Sequence, residues 1–87
     1  MEVTDAQAFL VLAEELHFGR AAQRLQMGQP PLSRLIQRLE RSLGAELFKR
    51  TSRQVELTVA GKTLIEPARD LVAASQRAVE AVKSTVT

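Results

Sequence analysis

Residues 18–40 read FGRAAQRLQMGQPPLSRLIQRLE, and the order of features in this stretch decides the fold. Its first part predicts a short helix over about Arg20–Gln26, followed by a Met-Gly turn. A second helix is predicted to begin at Gln29–Pro31, because the first turn of a helix leaves unpaired the N–H groups that proline lacks. Two helices joined by a short turn that contains glycine predict a helix-turn-helix.

The second of these helices has one apolar face and one open, basic face. Leu32, Ile36, Leu39 and Leu43 are spaced four, three and four residues apart, which predicts a buried stripe. Gly44 follows at the position where glycine commonly ends a helix. The polar side chains that fall off this stripe, toward the open face, are Arg34, Gln37, Arg38 and Arg41.

An amphipathic helix is predicted before this motif, over about Asp5–Glu15, where apolar residues recur at helical spacing. Thr4 is predicted to cap it, with Gln7 reaching back to complete a capping box. Residues 17–19 interrupt the pattern, and we expect His17 to be a polar loop residue.

A short β-hairpin, or wing, is predicted after the helix-turn-helix. Residues alternate between apolar and polar from Phe48 to Leu57, on either side of a polar tip at Thr51–Gln54. Leu47 and Phe48 are expected to anchor this hairpin on the core. Thr58 is then a predicted N-cap.

A long helix is predicted from Thr58 nearly to the end of the chain, and it carries an apolar stripe for about three heptads. At ~1.5 Å per residue, roughly 28 residues span about 42 Å, more than one small domain can cover. We expect the stripe to lack a partner within the chain and to pair with a second copy, forming a homodimer through Leu64, Ala68, Leu71, Val72, Val79 and Val82.

Composition limits the class of protein and of partner. The 87 residues suffice for one domain, and they include one His and no Cys, so neither a cysteine zinc site nor a multi-histidine site is possible within the chain. Residues 17–53 hold eight basic and two acidic residues, a net charge of +6, against −4 for the rest. This segregation favours a phosphate backbone as partner, although charge alone is equally compatible with a solvated basic face.

Other features exclude further classes. We find no glycine-rich phosphate loop and no assembled catalytic constellation, so the sequence predicts no enzyme, no cofactor and no metal. No apolar run approaches ~18 residues and no secretory signal follows Met1, which predicts a cytoplasmic protein without a membrane partner.

The ordered motifs resemble the DNA-binding domain of LysR-type transcriptional regulators. The resemblance is carried by Phe18–Ala22, Gln29–Arg34, Leu43–Arg50 and Leu57–Gly61, and it extends over essentially the whole chain. It implies a mainly α fold: three helices and a hairpin wing at residues 1–57, then a linker helix at 58–87 that pairs two subunits. It also implies a C-terminal effector domain that is absent from this chain, a small-molecule effector bound there, and a higher oligomer in the full-length protein.

Four residues depart from the family pattern. Gly19 and Gly28 lie where Ser or Thr is common, which removes a cap or a hydroxyl contact to phosphate. Val59 replaces a common proline at the first helical position. Pro67 lies inside the linker helix, where it deletes the hydrogen bond to the Thr63 carbonyl.

The resemblance assigns the start of the second helix of the motif to base recognition. Glutamine can bond an adenine edge, arginine can bond a guanine edge bidentately, and proline can meet a thymine methyl, whereas serine suits a phosphate. For Arg38 the alternatives of pairing near Glu40 or remaining solvated stay open. The candidate recognition residues are Gln29, Pro30, Pro31, Ser33, Arg34, Gln37 and Arg38, and the candidate phosphate and wing residues are Arg20, Arg50, Thr51 and Arg53.

The sequence therefore predicts sequence-specific binding of double-stranded DNA as a dimer, with the recognition helix in the major groove and the wing in the minor groove. The alternative is a winged-helix protein-interaction module whose basic face binds an acidic protein.

Overall fold

The computed structural model describes residues 1–86 and is a winged helix-turn-helix that continues into a long helix, as predicted. Thr87, the last residue of the predicted 58–87 segment, lies outside the described residues. The elements in chain order are α1 (Val3–Glu15), α2 (Phe18–Arg24), α3 (Gln29–Leu43), β1 (Phe48–Arg50), β2 (Val55–Leu57) and α4 (Val59–Lys83).

The N-terminus of α1 differs from the prediction. The helix begins at Val3 with Glu2 as its N-cap, so Thr4 lies inside the first turn and does not cap it. Asp5 reaches back instead of Gln7, and its Oδ2 accepts a hydrogen bond of 2.9 Å from the Glu2 N–H. A carboxylate at this point also interacts favourably with the positive end of the helix dipole, which a glutamine amide does not.

The start of α2 is set by a histidine cap. His17 is the N-cap residue, and its Nδ1 accepts a hydrogen bond of 2.9 Å from the Arg20 N–H. The predicted interruption at 17–19 is therefore a single cap, and α2 begins at Phe18, two residues earlier than expected. A Cβ atom on Gly19 would lie 2.9 Å from His17 Cε1, so a side chain at this position would displace the imidazole ring.

The core is formed where α1, α2 and α3 meet, and the hairpin closes it. Leu32, Ile36 and Leu39 are buried as predicted, and the rings of Phe9 and Phe48 lie 5.6 Å apart. The prediction was wrong for Leu43, which is 43% exposed. It lies in the last turn of α3, where it lines an open apolar groove instead of the core.

The hairpin register is fixed by three antiparallel pairs, from Phe48 opposite Leu57 to Arg50 opposite Val55. Its base is held by α3, because the Glu40 carboxylate accepts hydrogen bonds from the Leu47 N–H (2.7 Å) and the Phe48 N–H (3.3 Å). Leu47 and Phe48 are both buried, which confirms them as the anchors of the wing.

The wing passes into α4 through a tightly bonded junction. Thr58 caps α4 as predicted, since its Oγ1 accepts from the Gly61 N–H at 3.0 Å. The same hydroxyl donates to the Glu46 carbonyl at 2.6 Å, and the Thr58 N–H donates to the Leu47 carbonyl at 3.0 Å. Gly61 is buried directly against that carbonyl.

The apolar stripe of α4 divides into two parts. Ala68 is 1% exposed within the chain's own core, and Leu64, Leu71 and Val72 pack against that core. The expectation that the whole stripe lacks a partner within the chain is therefore wrong for its first half, because α1 packs along it. Beyond that contact the helix protrudes, and the molecule is 52 Å long.

α4 continues through Pro67 to Lys83 without a break in its secondary structure. Within residues 1–86, none of the helices combines the length and the apolar character needed to cross a membrane.

Candidate nucleic-acid interface

The open face of α3 carries the residues that the sequence singled out for recognition. Six of the seven side chains are exposed, and Ser33 is half-buried. The N-cap residue of α3 is Gly28, which offers no side-chain cap, but the two prolines of the first turn remove donors that a cap would otherwise satisfy. The exposed residues are Gln29, Pro30, Pro31, Arg34, Gln37 and Arg38.

The basic side chains of this face keep their charge free for a partner. Among the described residues, Arg34, Arg38 and Arg41 take part in none of the ion pairs. Pairing of Arg38 near Glu40 is not observed among the described residues, and the carboxylate of Glu40 itself is bonded to the base of the wing.

Arg20, expected to hold a phosphate, is engaged by an acidic partner. Its Nε lies 3.2 Å from Glu15 Oε1, and Arg24 Nη1 lies 3.0 Å from Glu14 and 3.1 Å from Glu15. The hydrogen bond from Arg24, followed by that from Arg20, holds the pKa of Glu15 below its ordinary value, against the opposing effect of desolvation. Two of the eight basic residues of the central segment are thus paired with the C-terminal turn of α1.

At the wing tip Arg53 is exposed, whereas the Thr51 side chain forms hydrogen bonds within the turn. Thr51 Oγ1 accepts from the backbone N–H groups of Arg53 (3.3 Å) and Gln54 (3.1 Å), and the Thr51 N–H donates to the Gln54 carbonyl at 2.9 Å. The hydroxyl therefore shapes the turn. Arg53 is exposed at the end of it.

Arg50 is the last residue of β1, next to the wing tip, and its side chain extends to the helix-turn-helix. Its guanidinium carbon is 4.3 Å from the centroid of the Phe18 ring, and its Nη1 donates to Ser33 Oγ at 3.2 Å. The structure thus separates Arg50 from Arg53, which the sequence reasoning had grouped as two wing arginines.

A groove of about 270 Å³ lies between the wing tip and the starts of α2 and α3. Its lining includes His17 and Gly19 on one side, Gln29 on α3, and Arg53 on the tip. The structure therefore brings the beginning of the recognition face and the wing to a common surface.

The candidate dimerisation residues are unequally available. Val79 and Val82 are 49% and 66% exposed, whereas Ala68 is closed off by its own chain. Leu64, Leu71 and Val72 are half-buried and present only part of their surface.

Sequence reasoning missed two positioning residues. Glu40 follows Ile36 by four residues and so lies on the inward side of α3, where a carboxylate requires a partner; that spacing was the available signal. His17 left no comparable signal, because Ser, Thr, Asp and Asn are the usual caps.

Similar proteins are bacterial regulators. Residues 3–62 match the family described as "Bacterial regulatory helix-turn-helix protein, lysR family". The HTH-type transcriptional regulator TfdT of Cupriavidus pinatubonensis is 53% identical over 77 residues, which cover 88% of this chain and 34% of TfdT. ShiR of Corynebacterium glutamicum is 51% identical over 84 residues, covering 97% of this chain and 28% of ShiR.

Solved structures of similar proteins share the fold over the whole chain. A crystal structure of the BenM_DBD complex with catB site 1 DNA superposes with a TM-score of 0.92 at 37% identity, covering 100% of this chain and 97% of that one. The CbnR_DBD–DNA complex gives 0.92 at 34% identity, with 100% of both chains covered. Full-length OxyR from Pseudomonas aeruginosa gives 0.94 at 33% identity, covering 100% of this chain and 30% of OxyR.

Proposed function

Because this chain belongs to the lysR family of bacterial regulatory helix-turn-helix proteins, we propose that it binds double-stranded DNA sequence-specifically as part of a cytoplasmic transcriptional regulator and has no enzymatic activity. The observation that carries this proposal is the exposed face of α3, on which Arg34 and Arg38 take part in none of the ion pairs among the described residues and which begins at Gln29, in the groove shared with the wing tip. The BenM and CbnR structures that share the fold are DNA complexes, which supports the same partner here.

In this proposal α3 enters the major groove. Arg34 bonds a guanine edge and Gln29 an adenine edge, while the exposed rings of Pro30 and Pro31 meet thymine methyl groups. Gln37 and Arg38, one turn further along the helix, extend the contact along the groove or its rim.

The remaining contacts position the protein on the duplex. Arg53 at the wing tip enters a minor groove, where narrow A·T tracts concentrate negative potential. Arg20 is paired with Glu15 and must leave this ion pair to bind a phosphate. We therefore propose that Arg20 contributes less to phosphate binding than Arg53 contributes to DNA binding. The hydroxyl of Thr51 maintains the tip that carries Arg53.

Residues 58–87 pair two subunits in this proposal, and residues 1–57 contact DNA. The exposed valines of the distal half of α4 supply the pairing surface, with Leu64, Leu71 and Val72 at its inner end. A two-fold dimer places two recognition helices on one side of the DNA, facing two half-sites.

The chain spans 34% and 28% of the length of the curated regulators TfdT and ShiR. Control by a small-molecule effector and assembly beyond a dimer are therefore proposals for a whole protein of that length. We assign no residue of this chain to effector binding or to assembly beyond a dimer.

The experiment that tests the function selects duplexes from a random pool and measures their affinity at several salt concentrations. We expect specific binding, and we expect Arg34→Ala to weaken it by ~1–3 kcal/mol with little effect on random DNA. Arg77→Ala, an exposed arginine on distal α4, is the matched control for loss of one positive charge. Binding without any sequence preference would contradict the proposal and favour the protein-interaction module.

A further inference from the structure

The guanidinium of Arg50 joins three elements, since it extends from β1 to the Phe18 ring of α2 and the Ser33 hydroxyl of α3. We propose that Arg50 is a positioning residue, which holds the Ser33 hydroxyl so that its proton is presented to a phosphate oxygen of the DNA backbone. This inference rests on the proposed function and assigns one contact of that interface.

The Phe18 ring fixes the guanidinium in place. Phe18 is 8% exposed and belongs to the core, so its ring is a rigid support at the first residue of α2. A guanidinium over an aromatic face is attracted to the ring and still has its N–H groups available for hydrogen bonds. Here one of them, on Nη1, reaches Ser33 Oγ at 3.2 Å.

The direction of this hydrogen bond determines what Ser33 can do. Arginine has no acceptor, so the hydroxyl oxygen must accept, and a hydroxyl that accepts still has its single proton to donate. Serine inside a helix often donates that proton back to the carbonyl four residues earlier, as Thr63 does to Val59 at 2.9 Å. Within residues 1–86 the Ser33 hydroxyl makes no such bond, so its proton is available outside the helix.

The electrostatics of the pair suit an anion. A hydroxyl that accepts from a cation is polarised and becomes a stronger donor, because hydrogen bonds in a chain reinforce one another. Ser33 lies in the second turn of α3, one position before Arg34, and its hydroxyl contacts the last residue of β1. A phosphate oxygen at that position gains a donor and a fixed positive charge behind it.

The test is a double-mutant cycle on the selected duplex. Ser33→Ala and Arg50→Met are each expected to weaken binding about tenfold, the ratio that 1.4 kcal/mol produces. The double variant is expected to be no more than about twofold weaker than either single variant, because the two residues act as one unit. Losses that multiply to about 100-fold would show independent contacts and overturn the proposal.

Two further variants separate positioning from charge. Arg50→Lys keeps the charge but loses the planar donor, so we expect it to lose most of the affinity that Ser33→Ala loses, on specific and on random DNA alike. Lys49→Met removes one charge from the adjacent position of β1, and we expect its loss of affinity to multiply with that of Ser33→Ala, because the two residues act independently. Full rescue by Arg50→Lys, or a loss by Arg50→Met that multiplies with that of Ser33→Ala as the Lys49→Met loss does, would overturn the proposal.

Measurements on the wild-type protein distinguish failure of the proposed function from failure of the role proposed for Arg50. If it fails to prefer selected over random duplexes, the proposed function itself fails; if it shows that preference and the cycle is multiplicative, only the role of Arg50 fails. Thermal unfolding of each variant verifies that it is folded, and Arg50→Lys with Ser33→Ala completes a cycle if Arg50→Met does not fold.

Discussion

Replacing Gly61 with alanine should destabilise the protein, although alanine is the better helix former. Gly61 lies in the first turn of α4, buried where the helix crosses the entry to the wing. A Cβ atom there would overlap the Leu47 carbonyl oxygen and would lie 2.8 Å from Leu57 Cδ2. The obstacle is backbone, which cannot rotate away as a flexible side chain would.

The expected change in the free energy of unfolding combines two destabilising contributions and one stabilising contribution. Overpacking costs about 1–3 kcal/mol or more. Moving the Leu47 carbonyl also weakens its 3.0 Å bond from the Thr58 N–H, at about 1 kcal/mol. Alanine regains about 1 kcal/mol through its helix propensity. The clash is severe enough to place its cost near the upper end, so we expect a net loss of about 2–3 kcal/mol and a Tm lower by about 10–20 °C.

Urea unfolding followed by far-UV circular dichroism measures this loss, at one fixed protein concentration because dimerisation would contribute to apparent stability. Gly44→Ala is the matched control, since its φ of +71° imposes strain but open space surrounds it. We expect that control to lose only about 1 kcal/mol. A Gly61→Ala variant as stable as the wild type, or more stable, would refute the steric argument.

Three further changes test other parts of the molecule. Val79→Arg, at a site 49% exposed in the single chain, should give a folded monomer by light scattering and reduce the salt slope of DNA affinity by roughly half; a persistent dimer would place the pairing surface elsewhere. Arg53→Ala should weaken gel-shift affinity most for duplexes with A·T-rich flanks, and equal loss on G·C-rich flanks would make it a generic phosphate contact. Glu15 has a pKa lowered by Arg24 and then Arg20, so its stabilising contribution is complete above its ordinary value of 4.5 and is lost as the pH falls through the lowered value. Glu15→Gln should therefore flatten the acid side of the stability profile in urea unfolding, and an unchanged profile would contradict the ion-pair assignment.

Periodic features of the sequence predicted the fold well. The bounds of α3 followed from the prolines of its first turn and from Gly44, and the position of the wing tip followed from the alternation around Thr51–Gln54, all of which are local patterns. Helix starts were less predictable, because the Asp5 carboxylate and the His17 imidazole compete with more common capping residues in the same few positions.

The long helix shows what spacing cannot decide. Ala68 and Val79 occupy the same apolar stripe, yet one is closed off by α1 and the other is open to solvent. The same helical periodicity of apolar residues surrounds both, and this periodicity does not show how far along α4 the contact with α1 extends. The same limit applies to the site: exposure on α3 was predictable, whereas the contact of Arg50 with Ser33 joins residues 17 positions apart and has no local signature.

The way α4 enters the domain has a consequence for the spacing of binding sites. Its first half is built into the core through Gly61 and Ala68, and the helix continues from there into the protruding half without a break in its secondary structure. In the proposed dimer, the way in which the two protruding halves pair then sets the distance between the two DNA-binding domains. A shift of one residue in their pairing moves one helix along the other by about 1.5 Å and rotates it by about 100°. The register of the valines therefore sets the distance between two half-sites that one dimer can bind.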